Sequence, residues 1–237
     1  MSSTVTYERD DAVATITLDD GKVNVLSPAM QSAVNEALDR AEADVKAGEV
    51  KAVVLAGNSK VFSAGFDLGV FNSGDAAAAA GMLAGGFELS IRALTFPAPV
   101  IMAATGPAIA MGSFLLLSGD VRIGSPRSRC QANEVAIGMT LPISAIEIMR
   151  MRLTRAAFQR AVSMAATFVG DDAVAGGWLD EIVEPENVLA RAAAVAAEAA
   201  ATLHTKAHVA SKLKARDDAL KAIRAGIDGL PAEFTRS

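Results

Sequence analysis

An α/β fold is predicted for this chain of 237 residues. Three observations predict it: short, wholly apolar runs such as Ala52 to Ala56, segments of helical period between them, and turns marked by glycine or proline at the junctions. The strand, turn and helix units are unequal and no repeat of fixed period is visible, which favours a coiled or spiral arrangement over a regular barrel.

Val5 and Tyr7 alternate with polar residues, and after a turn at Asp10-Asp11 the run from Val13 to Leu18 is alternating and rich in β-branched side chains. Two short strands are therefore expected at the start. Asp19-Asp20-Gly21-Lys22 turns the chain into Asn24-Val25-Leu26-Ser27, where Ser27-Pro28 reads as an N-cap with proline at the first helical position. Val34, Ala37, Leu38, Ala41 and Val45 then give the segment from Met30 to about Lys46 one apolar face. Ala52 to Gly57 is a buried strand, because it is apolar throughout and ends in Gly-Asn-Ser.

A polar, Gly/Ala-rich stretch from Asn72 to Gly86 is expected to precede a helix ending near Leu94. Pro97-Ala98-Pro99 leads into a second buried strand, Val100 to Ala104; Thr105-Gly106-Pro107 turns into an apolar helix from Ala108 to about Ser118; Asp120 to Gly124 is a further strand. From Val188 to about Ile227 the chain is alanine-rich and strongly helical. The expected organisation is a core over residues 1–187 and a helical region over 188–237.

Composition narrows the function. Apolar residues make up 51% and charged residues 21%, the balance of a folded domain. With 22 basic against 27 acidic side chains and no basic block, nucleic acid is not an expected partner. The single cysteine, Cys130, excludes a disulfide framework within the chain and a multi-thiolate metal site, and reads as a buried small hydrophobe. His204 and His208 read as solvated helix residues, so no metal is expected. Residues 93–119 carry no charge, yet Pro97, Pro99, Gly106, Pro107, Gly112 and Gly119 break the stretch, so no membrane span is expected. The polar opening lacks the features of a signal peptide, and a cytoplasmic location is expected.

Two junctions carry the candidate chemistry. Ser63-Ala64-Gly65 and Gly106-Pro107-Ala108-Ile109-Ala110-Met111-Gly112 each leave a buried strand through small residues towards a helix. Small residues let a ligand approach the backbone, and helix N-termini present unpaired N–H groups. Two such groups aimed at one point would form an oxyanion hole. Tight packing of small residues explains either loop alone equally well.

Phe62-Ser63-Ala64-Gly65-Phe66-Asp67-Leu68 resembles the first signature of the enoyl-CoA hydratase/isomerase, or crotonase, superfamily. The second loop, continuing to Gly119-Asp120-Val121-Arg122-Ile123, resembles the second. Val23 to Ser27, Asn133 to Pro142 and Gly177 to Val183 extend the resemblance over nearly the whole chain. The resemblance implies a spiral of ββα units with a C-terminal helical region used in subunit contact, and a homotrimer or dimer of trimers. It implies an acyl-CoA thioester as substrate and no separate cofactor, coenzyme A being part of that substrate. Carried over by position, the oxyanion donors are the backbone N–H groups of Ala64 and Met111, the latter a glycine in many members. Substrate contacts carry over to Lys22, Asn24, Val25, Leu26, Gly65, Phe66, Asp67, Leu68, Gly112 and Phe114. Family hydratases hold a water between two glutamates; the first would fall at Phe114 and the second at Glu134.

One carboxylate can move a proton from C2 to C4 of a 3-enoyl thioester, whereas adding water with one is harder. The expected activity is therefore Δ3,Δ2-enoyl-CoA isomerisation with Glu134 as acid/base. The alternatives are an enoyl-CoA hydratase and a non-catalytic acyl-CoA-binding homologue. Asp67 reads as a structural cap, Glu88 as solvated or paired, Asp120 as a cap or a partner of Arg122 or another nearby group, and Trp178 as packing. Lys212 and Lys214 are considered for contact with a phosphate of the substrate.

Overall fold

The alternation at the start of the chain produces a hairpin: β1 (Val5–Asp10) and β2 (Val13–Leu18) pair antiparallel with Val5 opposite Leu18. This is a computed structural model, and it describes residues 4–234. Helix α1 (Pro28–Ala47) starts where the Ser27-Pro28 signal lies, with the Ser27 side chain accepting from the Met30 N–H at 3.2 Å, and stops at Gly48 in the left-handed region. Strand β3 (Ala52–Ala56) then runs parallel to β2.

After the short α2 (Leu68–Phe71), α3 spans Ala76–Thr95 and so begins ten residues before the end of the stretch read as irregular. Asp75 caps it by accepting from the Ala78 N–H, and the alanine run propagates it. Strand β4 (Val100–Ala104) follows beside β3. The next helix also departs from expectation at its start. Ala108–Ile109 forms a strand, β5, and α4 covers only Met111–Leu117, because Ala110 takes φ 49° and separates the two.

Strand β6 (Val121–Gly124) pairs parallel with β4. The rest comprises β7 (Arg129–Gln131), a 3-10 turn at Glu134–Ile137, α5 (Ile143–Arg152), α6 (Arg155–Met164), β8 (Phe168–Val169), α7 (Gly170–Gly176) and β9 (Glu181–Ile182). The main sheet has the order β1-β2-β3-β4-β6-β9, and a smaller one has β5-β7-β8.

The central strands are buried on both faces, as their unbroken apolar runs require. Val53, Leu55, Val100 and Met102 face the larger core with α1, α3 and α4. Their neighbours Ala52, Val54, Ile101 and Ala103 face the other way, onto Val188, Ala192, Ala196 and Ala200 of α8 (Val188–Thr202). The final helix, α9 (Thr205–Phe234), packs on α3 and α5 of the same chain, where the Ser144 hydroxyl donates to the Ile223 carbonyl at 2.9 Å.

Its attachment corrects two expectations. Lys212 is buried and donates to the Ala98 carbonyl at 2.9 Å and to Asp120 at 3.2 Å, so it is not free to reach a ligand phosphate. His208 is not solvated; its Nε2 lies 3.8 Å from the same carboxylate. Arg216 completes the cluster with a 2.6 Å bond to Asp120, which also accepts the Val100 N–H at the start of β4. Burial works to raise the Asp120 carboxyl, but His208, Lys212, Arg216 and the Val100 N–H together hold it below the usual range. Arg122 pairs with Asp180 instead, at 2.6 Å. Trp178 packs on Phe168, and Cys130 is buried with its thiol pushed up to about 12 by burial. No helix of the described residues is long and apolar enough to cross a membrane, and residues 93–119 divide among α3, β4, β5 and α4.

Candidate active site

The two loops singled out above meet. Residue 63 bridges to Ala108 in parallel fashion, the Ile109 N–H donates to the Ser63 carbonyl at 3.0 Å, and the Ala110 N–H donates to Gln131 at 2.9 Å. The first loop is also stapled from outside. Asn24, with φ 52°, donates from its side chain to the Leu18 and Phe62 carbonyls, the Ser63 hydroxyl donates to the Asn24 carbonyl, and the Leu26 N–H donates to the Gly65 carbonyl. Asn24 and Leu26 are thus fully buried supports of the loop.

Gly65 has φ 92°, and a Cβ there would stand 2.9 Å from the Ile109 carbonyl and 3.4 Å from the Met111 nitrogen. Only glycine allows that conformation and that approach without strain. Next to it, the expected donor Ala64 must be corrected. Its N–H already donates to the Val23 carbonyl at 3.0 Å. The N–H of Phe66 meets no acceptor among the described residues, and neither does that of Met111, the first residue of α4. Phe66 and Met111 thus each offer a free donor where the two loops touch, and on the same loops the N–H groups of Asp67, Leu68 and Gly112 are likewise without an acceptor among the described residues.

Their side chains turn into the protein. A Cβ on Gly86 of α3 would lie 2.5 Å from Phe66 Cε1 and 3.1 Å from Met111 Cγ, so that glycine makes the room both occupy. Met111 is fully buried and leaves the adjoining cavity to Ala110.

That cavity has a volume of about 450 Å³ and lies between the 64–71 loop, α3, the start of α4 and the 133–142 segment. Ala64, Phe66, Asp67, Leu68, Phe114, Glu134 and Val25 line it, whereas Lys22, Gly65 and Gly112 do not. Lys22 sits exposed on its turn, and Gly112 packs against Ser63. Asp67 is the cap of α2, accepting the Gly69 N–H at 2.8 Å, and Leu68 stands exposed at the rim. Leu83 and Phe87 of α3, which the sequence did not single out, also form cavity wall; Leu83 lies in the stretch expected to be polar and Gly/Ala-rich.

Phe114 is buried, and its ring stacks on Phe87 with centroids 6.2 Å apart and planes 20° apart. Phe66 meets Phe87 edge-on at 6.4 Å and Phe71 at 6.0 Å. Glu134 opens the 3-10 turn and is the only carboxylate buried in this cavity. Its Oε2 has no hydrogen-bond partner. Burial pushes its carboxyl up to about 7, opposed only by its own backbone N–H. A carboxyl with that value exchanges protons readily near neutrality. Among the described residues no group of His, Cys, Asp or Glu side chains could hold a metal ion.

The sequence model of the family described as "Enoyl-CoA hydratase/isomerase" matches residues 8–230. A putative enoyl-CoA hydratase of Thermus thermophilus is 32% identical over 206 residues, 85% of this chain and 79% of that one. The crystal structure of a probable enoyl-CoA hydratase of Mycobacterium tuberculosis superposes with a TM-score of 0.95 at 54% identity, covering 98% of this chain and 97% of the other. An apo structure of that same protein, described as an enoyl-CoA isomerase, superposes at 0.94 with 54% identity, covering 99% and 100%.

Proposed function

The chain belongs to the enoyl-CoA hydratase/isomerase family and has the crotonase fold, and from that premise we propose that it moves the double bond of a 3-enoyl-CoA thioester to the 2 position with Glu134 as its one acid/base. The observation that carries this reading is Phe114. Where the family's first glutamate would fall stands a buried aromatic ring stacked on Phe87, so the cavity offers one buried carboxyl rather than two.

The thioester carbonyl sits against the N–H groups of Phe66 and Met111. A proton at C2 is weakly acidic, and as it leaves for Glu134 the electron pair spreads onto the carbonyl oxygen and along the conjugated carbons. Fixed donors stabilise that developing charge without having to reorient, and losing one typically costs about 3 kcal/mol. Glu134 then returns the proton at C4, which restores the carboxylate and leaves the double bond conjugated with the thioester. No electron is gained or lost overall. The apolar walls and the raised carboxyl favour this shuttle, because an undersolvated carboxylate is a stronger base.

The test supplies a 3-enoyl-CoA and, separately, a 2-enoyl-CoA to the wild type and to Glu134→Ala, with products separated by chromatography. Conversion of the 3-enoyl to the 2-enoyl thioester, lost in the variant, with no 3-hydroxyacyl product is the expected result. A 3-hydroxyacyl product from 2-enoyl-CoA would replace this reading with hydration. Binding of acyl-CoA without any turnover would make the chain a non-catalytic binder.

A further inference from the structure

Five side-chain nitrogen or oxygen atoms among the described residues are buried without a hydrogen-bond partner. Two of them, Asn133 Oδ1 and Glu134 Oε2, belong to consecutive residues that line the same cavity. A buried acceptor left unmatched is costly in an apolar setting, so a neighbouring pair of them marks a place where a donor arrives during function.

The backbone of Asn133 is committed. Its carbonyl accepts the N–H of Ala136 at 3.0 Å and of Ile137 at 3.3 Å, which fixes the turn on which Glu134 sits. Its side chain, in contrast, caps nothing. Of the side chains lining the cavity, only Asp67, Asn133 and Glu134 carry oxygen or nitrogen; Asp67 spends one oxygen as the cap of α2 and is not buried. When Glu134 holds a proton it becomes a donor, and the buried side-chain acceptor without a partner on the preceding residue is Asn133 Oδ1.

We propose that Asn133 is a positioning residue for Glu134, its carboxamide oxygen accepting the O–H of the protonated carboxyl between removal of a proton from C2 and its return at C4. The inference rests on the reading of Glu134 as the acid/base. The proton count is closed: the carboxylate gains the C2 proton, the acid is held as O–H···O=C, and C4 takes the same proton back. Because this bond forms only to the neutral acid, it favours protonation and adds to the effect of burial. Other charges do not compete. No neighbouring charge contributes to the Glu134 shift, and of the cations on α6, which packs beside the turn, Arg160 is paired with Asp172 and Arg155 is exposed.

The experiment follows the Glu134 carboxyl in the free enzyme by 13C NMR titration, assigned with Glu134→Gln, in the wild type, Asn133→Leu and Asn133→Asp. Loss of one neutral hydrogen bond in Asn133→Leu should lower the titration midpoint by about 0.5–1 unit. Asn133→Asp, which keeps an acceptor, should not lower it. In isomerase assays Asn133→Leu should reduce kcat several-fold with KM little changed. A midpoint in Asn133→Leu that is unchanged or higher overturns the proposal; if that variant does not fold, Asn133→Ala gives the same reading. The titration needs no substrate, so an enzyme that turns over no 3-enoyl-CoA would defeat the isomerase reading while leaving this one testable.

Discussion

Phe66 and Met111, 45 positions apart, share one niche: a methyl group on Gly86 would come within 2.5 Å of the ring of the first and 3.1 Å of the side chain of the second. Both residues also carry backbone N–H groups that meet no acceptor among the described residues. Side-chain packing on one helix and the direction of two backbone donors are thereby the same structural problem.

Gly86→Val should therefore impair catalysis without touching the cavity's carboxyl. Overpacking of this kind typically costs 1–3 kcal/mol, and misdirected donors reduce kcat. The expected outcome is a drop in kcat of at least tenfold together with a lowered Tm, measured by steady-state assay and thermal unfolding. Full activity in a folded Gly86→Val protein would show that the donors are held by other contacts.

Glu134→Gln should abolish most turnover, by roughly 10²- to 10⁴-fold, the usual contribution of general acid–base catalysis. It should also stabilise the protein, and the sign follows from linkage. The Glu134 carboxyl titrates at about 7 when folded against 4.5 unperturbed, so the folded state binds more protons between those values. Wild-type stability therefore falls as pH rises through that window, by up to about 3 kcal/mol. Denaturant curves at pH 5 and pH 8 should show the gain from Glu134→Gln growing towards pH 8.

Phe114→Glu should change the product. A second carboxyl in the cavity that Glu134 lines supplies what water addition lacks here, at the expense of the stack on Phe87. Some 3-hydroxyacyl product from 2-enoyl-CoA is expected, with weaker isomerisation and a lower Tm. If the folded variant forms none, the identity of residue 114 is not what withholds hydration.

Asp120→Asn should be the most destabilising of these changes. It strands Lys212 and Arg216 as buried cations, and breaking one side of such a cluster typically costs about 3–5 kcal/mol. In the wild type the lowered Asp120 carboxyl contributes stability above the ordinary aspartate range, lost as pH falls through that range towards the folded-state value. Acid unfolding of the wild type and the variant should therefore converge at low pH; parallel curves would count against the cluster as the cause.

Much of this was legible in the sequence. The hairpin, the Ser27-Pro28 helix start and the buried strands announce themselves through local pattern, and the ordered motif picks out Glu134 as a candidate, which the structure buries in the cavity. What was not legible depends on distant partners. Whether the Ala64 N–H is free is decided by Val23, forty-one positions earlier. Lys212 and His208 look like surface residues of an alanine-rich helix until Asp120 is folded beneath them. In α3 the glycines read as loop, whereas Gly85 and Gly86 are there because Gln31 and Phe66 press against the helix.

The Asp120 cluster has a temporal side. Its carboxylate secures the start of β4, whose strand feeds the loop ending at Met111, while its three partners lie between residues 208 and 216. A chain growing from its N-terminus would thus carry that carboxylate for 92 residues before Lys212 and 96 before Arg216 are made. Until α9 docks, the Asp120 carboxylate has neither Lys212 nor Arg216 to pair with.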